Sequence, residues 1–341
     1  MTEKTLENTN VKLPNGFTVR PVKMDDVEEL VEMFNALSVE MIGFENWNSN
    51  ELRNDYTSTN FDLEKDTCVV VSPEGKIVAY QDVFAINNTP VHPEILGRVH
   101  VDYHNMGFGT YLLNWALQRA HHVLDKVPED ARVAVRTSTV STWEPAIQLF
   151  KDNGWEHIRS FYEMSIEMTE APPRPEWPEG ISVRTYRHPE EAEAVFRAVR
   201  EAFRDHYGHV EEPFEEGFEH FQHFRFNNDR FEPDLWFLAL DGDQIVGASL
   251  CAKYGYERED QGSVSTLGVL RPWRKRGIGL ALLLHSFNAY WERNQKCVRL
   301  GVDADSLTNA VNLYERAGMY VLRRYDMYEL ELRPGRELST E

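Results

Sequence analysis

Residues 269–279 read Val-Leu-Arg-Pro-Trp-Arg-Lys-Arg-Gly-Ile-Gly. Four of the six residues from Arg271 to Arg276 are cationic, in a chain whose formal net charge is -20. Gly277 and Gly279 follow, and an apolar helical run then begins. A helix N-terminus offers unpaired backbone N–H groups and the positive end of the dipole, so it attracts anions. Glycines let a phosphate approach that backbone closely. The stretch predicts a polyphosphate held by main-chain amides beside a basic tongue. The dinucleotide fingerprint would need a third glycine where Leu282 stands, and the nucleotide P-loop would need Gly-Lys-Ser/Thr, so neither fits. The competing reading is plain: a basic cluster is usually a solvated surface, and Gly-x-Gly alone is a common loop.

A second segment carries chemistry. Asp303-Ala-Asp-Ser-Leu-Thr-Asn-Ala-Val-Asn-Leu-Tyr314-Glu-Arg-Ala-Gly318-Met319 places a tyrosine on a helix-like stretch. Val269 followed by Arg274-x-x-Gly277-x-Gly279 resembles the acetyl-CoA loop of the GNAT superfamily of N-acetyltransferases. The downstream segment resembles that family's second signature, Ala-x-x-Leu-Tyr-x-x-x-Gly-Phe, with Met319 in place of the Phe. Two signatures in the right order are far more specific than either alone.

The resemblance implies a division of labour. Backbone N–H groups of Arg276, Gly277, Ile278, Gly279 and Leu280 would wrap the pyrophosphate of acetyl-CoA, with Arg274, Lys275 and Arg276 adding charge. Main-chain amides at Leu267 or Val269 would polarise the thioester carbonyl, an arrangement worth a few kcal/mol per donor in a dry site. Tyr314 would protonate the departing thiolate, since a phenol with a reference pKa near 10 holds its proton at neutral pH. A tyrosine packed on the core with its hydroxyl in water is the alternative for Tyr314. The strand Ser263–Leu270 contains no carboxylate to act as base. Asp303 is one candidate base, and its competing role is capping of the following turn or helix. Asp205, His206 and Glu212, in a segment that covers the acceptor pocket in the family, are others. No metal is implied.

The whole chain reads as a repeat. Residues 169–180 hold four prolines in twelve positions, and proline breaks helices and inner strands, so this is a linker. Thr18–Pro21 parallels Ser182–Thr185, and Cys68–Ala79 parallels the hairpin-like stretch from Trp236. Arg98–Gly109 parallels Gly268–Gly279, and Leu149–Trp155 parallels Leu313–Met319. Each half reads as strand, two helices, three strands, long helix, strand, helix, strand. That is an α/β (α+β) mixed sheet flanked by helices, and the resemblance implies two tandem GNAT-like domains, each splayed at its fourth and fifth strands. The division is residues 1–170, a linker at 171–180, and residues 181–341. Ile278, Leu282, Leu283 and Phe287 share a helical face and read as core.

The halves are not chemically equal. Phe150 stands where Tyr314 stands, and His104 where Arg274 stands, while Gly107 and Gly109 persist. The first half therefore reads as a degenerate domain that transfers nothing, and the second as the active one.

Composition sets the remaining bounds. Hydrophobic content of 42% and charged content of 27% describe a globular protein. The acidic balance argues against nucleic acid. The polar start, without an apolar signal core, and the absence of a long apolar run argue against secretion and a membrane span, so a cytoplasmic location is expected. Cys68, Cys251 and Cys297 show no metal or redox spacing and read as buried thiols. The leading expectation is an acetyl-CoA-dependent N-acetyltransferase for a small-molecule amine, with a homodimer left open. The competing expectations are a non-catalytic acyl-CoA sensing or interaction module, and an acyltransferase with a protein acceptor. Aromatic residues between Phe214 and Phe237 favour a closed pocket over the open groove a protein acceptor needs.

Overall fold

The computed structural model describes residues 12–258 and 260–340. The polar start read for targeting lies outside the described residues. No described helix is long and apolar enough to cross a membrane. The chain divides into two compact units, one of residues 12–158 with Asp326–Leu338, the other of Arg159–Tyr325 with the residues after Leu338. This differs from a division at the proline linker, because residues 159–170 group with the second unit and 326–338 with the first. Period-two patterning shows that a segment is extended, not which sheet it joins.

The first unit runs β1 (Thr18–Arg20), α1 (Val27–Ile42), α2 (Ser49–Tyr56), α3 (Leu63–Asp66), β2 (Thr67–Val71), β3 (Ile77–Asp82), β4 (Gly97–Val99), α4 (Phe108–Ala120), β5 (Val133–Val140), α5 (Glu144–Asp152) and the start of β6 (Glu156–Glu167). β1 to β4 form an antiparallel sheet in chain order. The second unit continues with β7 (Ile181–Thr185), α6 (Ala192–Phe203), α7 (Phe214–Phe226), β8 (Phe231–Asp241), β9 (Gln244–Ala252), β10 (Gln261–Val269), α8 (Ile278–Glu292), β11 (Cys297–Asp303), α9 (Ala310–Arg316) and the start of β12 (Tyr320–Arg333). Its strands lie in the order β6-β11-β10-β9-β8-β7. Residues 171–178 are neither helix nor strand, as four prolines dictate.

The second unit is organised around one opening in its sheet. β10 and β11 are parallel, but they pair only at Gln261–Cys297, Gly262–Val298 and Ser263–Arg299. Beyond that, β10 stays with β9 as far as Val269, and β11 stays with β6 as far as Asp303. The two strands therefore part after Ser263. At the same place the β10–β9 register shifts between Val264 and Thr266, a bulge that bends the strand.

Tyr290 of α8 pins the fork. Its hydroxyl accepts the Ser263 N–H at 3.0 Å, and lies 2.7 Å from the Ala252 carbonyl and 2.8 Å from the Ser263 carbonyl. Gly262 admits the ring: a Cβ there would meet its carbons at 2.5 to 2.6 Å. The same helix buries Ile278, Leu282, Leu283 and Phe287 almost completely, which is the stripe the spacing predicts. Cys68, Cys251 and Cys297 are buried free thiols on β2, β9 and β11.

Tyr290→Phe deletes the hydroxyl at the fork while keeping the ring. It is expected to lower stability by about 1–3 kcal/mol, the range for leaving buried polar groups unsatisfied. Urea denaturation measures this, and an unchanged midpoint would show that the fork closes without that hydroxyl.

Candidate active site

The glycine loop joins the open edge of β10 to the start of α8. Gly277 takes a left-handed conformation (φ 92°) as the residue before the helix, and Lys275 does so at φ 63°. The Ala281 N–H bonds to the Gly277 carbonyl, so the preceding amides of Ile278, Gly279 and Leu280 lie in the first turn, where N–H groups have no intrahelical partner. Lys275, Arg276 and Gly277 are exposed. The side chains of Lys275 and Arg276 make no hydrogen bond or ion pair with a described residue. Two cations and a turn of amides thus stand together as an anion site.

Arg274 is engaged within the protein. Its guanidinium donates to both Asp205 oxygens (2.6 and 2.9 Å), to the Ala202 carbonyl (2.7 Å) and to the Val269 carbonyl (3.1 Å). Its charge is therefore directed inward, and it ties the loop to the end of α6. Asp205, a candidate base from its position, is the partner in that clamp. Hydrogen bonding from Arg274 holds its pKa down at about 2, against the desolvation that would raise it, so it is a poor proton acceptor.

Along β10 the backbone alternates direction. The Leu270 N–H donates to the Val246 carbonyl of β9, so the N–H groups of Val269 and Leu267 face the opposite side, where β11 has departed. Both candidate carbonyl-polarising amides thus point into the gap. Gly279 and Val269 meet α9 there: a Cβ on Gly279 would lie 3.1 Å from Leu313 and 3.8 Å from Val269.

Tyr314 follows Leu313 on α9 and is 7% exposed. Its hydroxyl makes no hydrogen bond with a described residue, and burial pushes its pKa up to about 12. It is a protonated phenol with a free O–H. Asp303, at the end of β11, is not free. Arg159 donates to both of its oxygens at 2.9 and 2.7 Å, and the Asp305 N–H adds a third bond at 3.0 Å. Arg159 in turn covers the Tyr207 ring at 4.0 Å. The carboxylate is thus held in an ion pair that also caps its turn. Glu212 is half-buried beside Gly217 of α7, and burial raises its pKa. His206 packs its ring on Phe203 at 4.4 Å. Phe203 itself lies over Gly268 of β10, where a Cβ would meet it at 2.7 Å. The imidazole makes no hydrogen bond with a described residue, and burial lowers its pKa, so it is neutral near pH 7. Among the described residues no group of three or more His, Cys, Asp or Glu is placed to hold a metal.

Residues 193–319, within the second unit, match the family model described as the Acetyltransferase (GNAT) family. A solved GCN5-related N-acetyltransferase from Sphaerobacter thermophilus is 33% identical, covers 97% of this chain and 100% of its own, and superposes with a TM-score of 0.79. The chain belongs to the GNAT acetyltransferase family. A mycothiol acetyltransferase from Nocardiopsis dassonvillei is 26% identical over 268 residues, which is 72% of this chain and 76% of the relative. A tandem GNAT protein from the clavulanic acid biosynthesis pathway, 13% identical, shares the fold at a TM-score of 0.70 over 94% of this chain and all of its own.

The first unit repeats the GNAT loop in backbone but not in charge. Gly107 and Asn105 have φ of 86° and 62°, close to Gly277 and Lys275. His104 places Nε2 3.1 Å from the Val99 carbonyl, as Arg274 places Nε 3.1 Å from that of Val269. Gly109 would carry a Cβ 2.8 Å from Leu149, as Gly279 would near Leu313. A cavity of about 420 Å³ opens beside this loop, lined by Gly107, Gly109, Thr137, Trp143 and Phe150. Phe150 is buried against Tyr328, its ring 5.1 Å away, and carries no proton to donate.

Three elements of the GNAT site left no local signal in the sequence: the Arg274–Asp205 clamp, the Arg159–Asp303 pair and the Tyr290 pin. Each joins residues far apart in the chain, which no spacing rule connects.

Asp205→Asn is expected to lower stability by roughly 1–3 kcal/mol, as for a lost hydrogen bond to a charged group. The carboxylate is ionised in both folded (about 2) and unfolded (3.8) states between pH 5 and 8. The loss, read by chemical denaturation, should therefore stay constant over that window. A loss that grows across it would mean that a different titrating partner stabilises the loop.

Proposed function

We propose that the second unit transfers the acetyl group of acetyl-CoA to the amine of a small molecule by direct attack. The observation that carries the reading is Tyr314: a buried, protonated phenol without a hydrogen-bond partner, one residue from Leu313, which packs on Gly279 at the mouth of the cofactor loop. Exposed Lys275 and Arg276 and the amides of Arg276, Gly277, Ile278, Gly279 and Leu280 would hold the pyrophosphate. Arg274 acts through the loop, by fixing its shape. The amides of Leu267 or Val269 would meet the thioester oxygen as charge develops on it. The amine nitrogen attacks the carbonyl carbon, the C–S bond breaks, and Tyr314 gives its proton to the sulfur. The proton lost by the amine goes to His206, whose neutral imidazole is suited to accept it.

Relatives named mycothiol acetyltransferase support a small-molecule acceptor. So does the aromatic cover over α6, where Phe196 packs against Phe214, Phe218 and Phe221 at 5.2 to 5.6 Å. The first unit, with Phe150 and His104 at the corresponding places, is a degenerate domain that performs no transfer.

The test is incubation with acetyl-CoA and a mixture of metabolite amines, followed by mass spectrometry for acetylated products. Tyr314→Phe should lower turnover by roughly a hundredfold or more while acetyl-CoA affinity, read by calorimetry, stays nearly the same. Unchanged turnover would remove Tyr314 as the acid. Product absent from the parent protein, with acetyl-CoA still bound, would turn the reading to a binding module. Because Tyr314 holds its proton up to about 12, the rate should show no fall below about pH 10 from loss of the acid. His206→Gln should lower turnover and remove any ascending limb on the acid side that the parent shows.

A further inference from the structure

Arg225 stands in the last turn of α7, half-buried. Its one hydrogen bond with a described residue goes to the Thr266 hydroxyl of β10, at 3.1 Å, and it forms no ion pair with a described residue. The chain carries 56 Asp and Glu against 36 Lys and Arg, and other arginines around the site are paired, Arg274 with Asp205 and Arg159 with Asp303. Arg225 instead has a second cation beside it. Burial lowers its pKa, and the charge of Arg230 pushes the same way. Arg230 donates to the Tyr256 hydroxyl at 2.6 Å and lies 3.8 Å over that ring. A guanidinium keeps its charge throughout the ordinary pH range, so one held away from water against a single neutral acceptor is costly to the fold.

A hollow of about 50 Å³ opens beside it, lined by Arg225, Arg230, Ser265, Phe231 and Trp236 among others, with no acid among its described lining residues. Ser265 is the extra residue of the β10 bulge, since Val264 pairs with Cys251 and Thr266 with the adjacent Leu250. Ser265 is exposed, and its hydroxyl makes no hydrogen bond with a described residue. The hollow thus offers N–H and O–H donors in an aromatic frame, a setting for an anion and not for an amine. Its place on the strand matters. Thr266 and Gly268, two residues apart, share one face of β10. Thr266 meets Arg225, whereas Gly268 lies under Phe203, on which His206 packs at 4.4 Å. Leu267, between them, carries one of the amides aimed into the gap. The donor-lined hollow is therefore about 7 Å along the strand from the place over Gly268.

We propose that the acceptor carries a carboxylate as well as its amine, and that Arg225, with Ser265 beside it, binds that carboxylate while the amine lies over Gly268. This rests on the reading of the second unit as an amine acetyltransferase. A planar guanidinium meets a carboxylate through two parallel N–H bonds, and such a pair supplies the counter-charge that the fold leaves out. The carboxylate takes no part in the bond changes. It fixes the reach of the nitrogen towards the thioester carbon, so Arg225 is a specificity-determining residue. An amine without the anion leaves the guanidinium unpaired and is selected against.

The test compares acids with their own amides, which differ by one charge. The full chain is given acetyl-CoA with β-alanine, 4-aminobutyrate or phenylalanine, each beside its primary amide, and release of the CoA thiol is followed. The expected result is a kcat/KM for at least one acid that exceeds that of its amide by roughly tenfold or more, as a charge-assisted contact provides. Arg225→Gln should bring that ratio close to one, chiefly through KM, and Arg225→Lys should restore part of it. Thr266→Val removes the internal hydrogen bond but keeps the guanidinium, so the ratio should persist. Its collapse in Thr266→Val to the same extent would make Arg225 a strut between α7 and β10 and overturn the proposal. So would amides that react as well as the acids, or a ratio unmoved in Arg225→Gln. Calorimetry with CoA present, using the N-acetyl forms of the same acids and amides, reads the subsite without turnover. Arg225-dependent preference for the N-acetyl acids, with transfer to no amine, would remove the transferase reading and support the carboxylate subsite. Transfer that favours the amides would keep the transferase and overturn the subsite.

Discussion

The second unit depends on a sheet that comes apart at one place. A parallel strand pair satisfies its backbone groups mutually, so separating β10 from β11 exposes donors and acceptors that need other partners. The separation is held at Ser263, the last paired residue, by a hydroxyl from α8. Past the fork the freed edge is put to use. The Val269 carbonyl takes Arg274, and the amides of Leu267 and Val269 face the gap. One helix links the two ends of this arrangement. Tyr290 lies near its C-terminus and pins the fork, while Ile278 and Gly279 at its N-terminus present unbonded amides. Packing of Leu282, Leu283 and Phe287 between them makes the helix a rigid strut, so the anion site and the open strand hold a constant relation.

The charges around that opening divide into two classes. Arg274, Asp205, Arg159 and Asp303 neutralise one another and shape the rim. Lys275 and Arg276 remain exposed, in a chain that carries a net charge of -20. An acidic surface repels a polyphosphate at a distance, so capture depends on a small cationic spot backed by fixed dipoles. The Arg274–Asp205 clamp also joins the glycine loop to the end of α6, the element that carries Phe203 over Gly268. A shift in that end of α6 would therefore move the loop as well.

Much of this was legible in the sequence, for identifiable reasons. The helical face of α8, the hairpin of β8 and β9, the proline linker and the tandem repeat rest on periodicity, turn residues and composition, which act locally. The glycine loop was legible because Gly277 has to adopt a positive φ. The partners of Arg274 and Asp303 were not, since a cation beside a glycine loop and a carboxylate after a strand carry no mark of a partner 69 or 144 positions away. The exchange of residues 159–167 and 326–338 was hidden for a related reason. An extended segment carries the same alternation in either sheet.

Comparing the two loops separates what the fold needs from what the ligand needs. Their backbones agree at His104 and Arg274 (ψ 155° and 159°), at Asn105 and Lys275, and at Gly107 and Gly277. The first unit keeps this path without the basic residues, so the conformation alone serves to turn a strand into a helix and is no evidence of phosphate. The left-handed position is the informative one. Asn tolerates it through local hydrogen bonding, whereas a residue such as Lys pays about 1–2 kcal/mol to occupy it. The first unit has the residue that suits the backbone. The second has a cation there despite the backbone preference, exposed and without an internal partner. A cation that opposes its own backbone and makes no internal contact fits the proposed cofactor site, where the start of a helix would hold an anion.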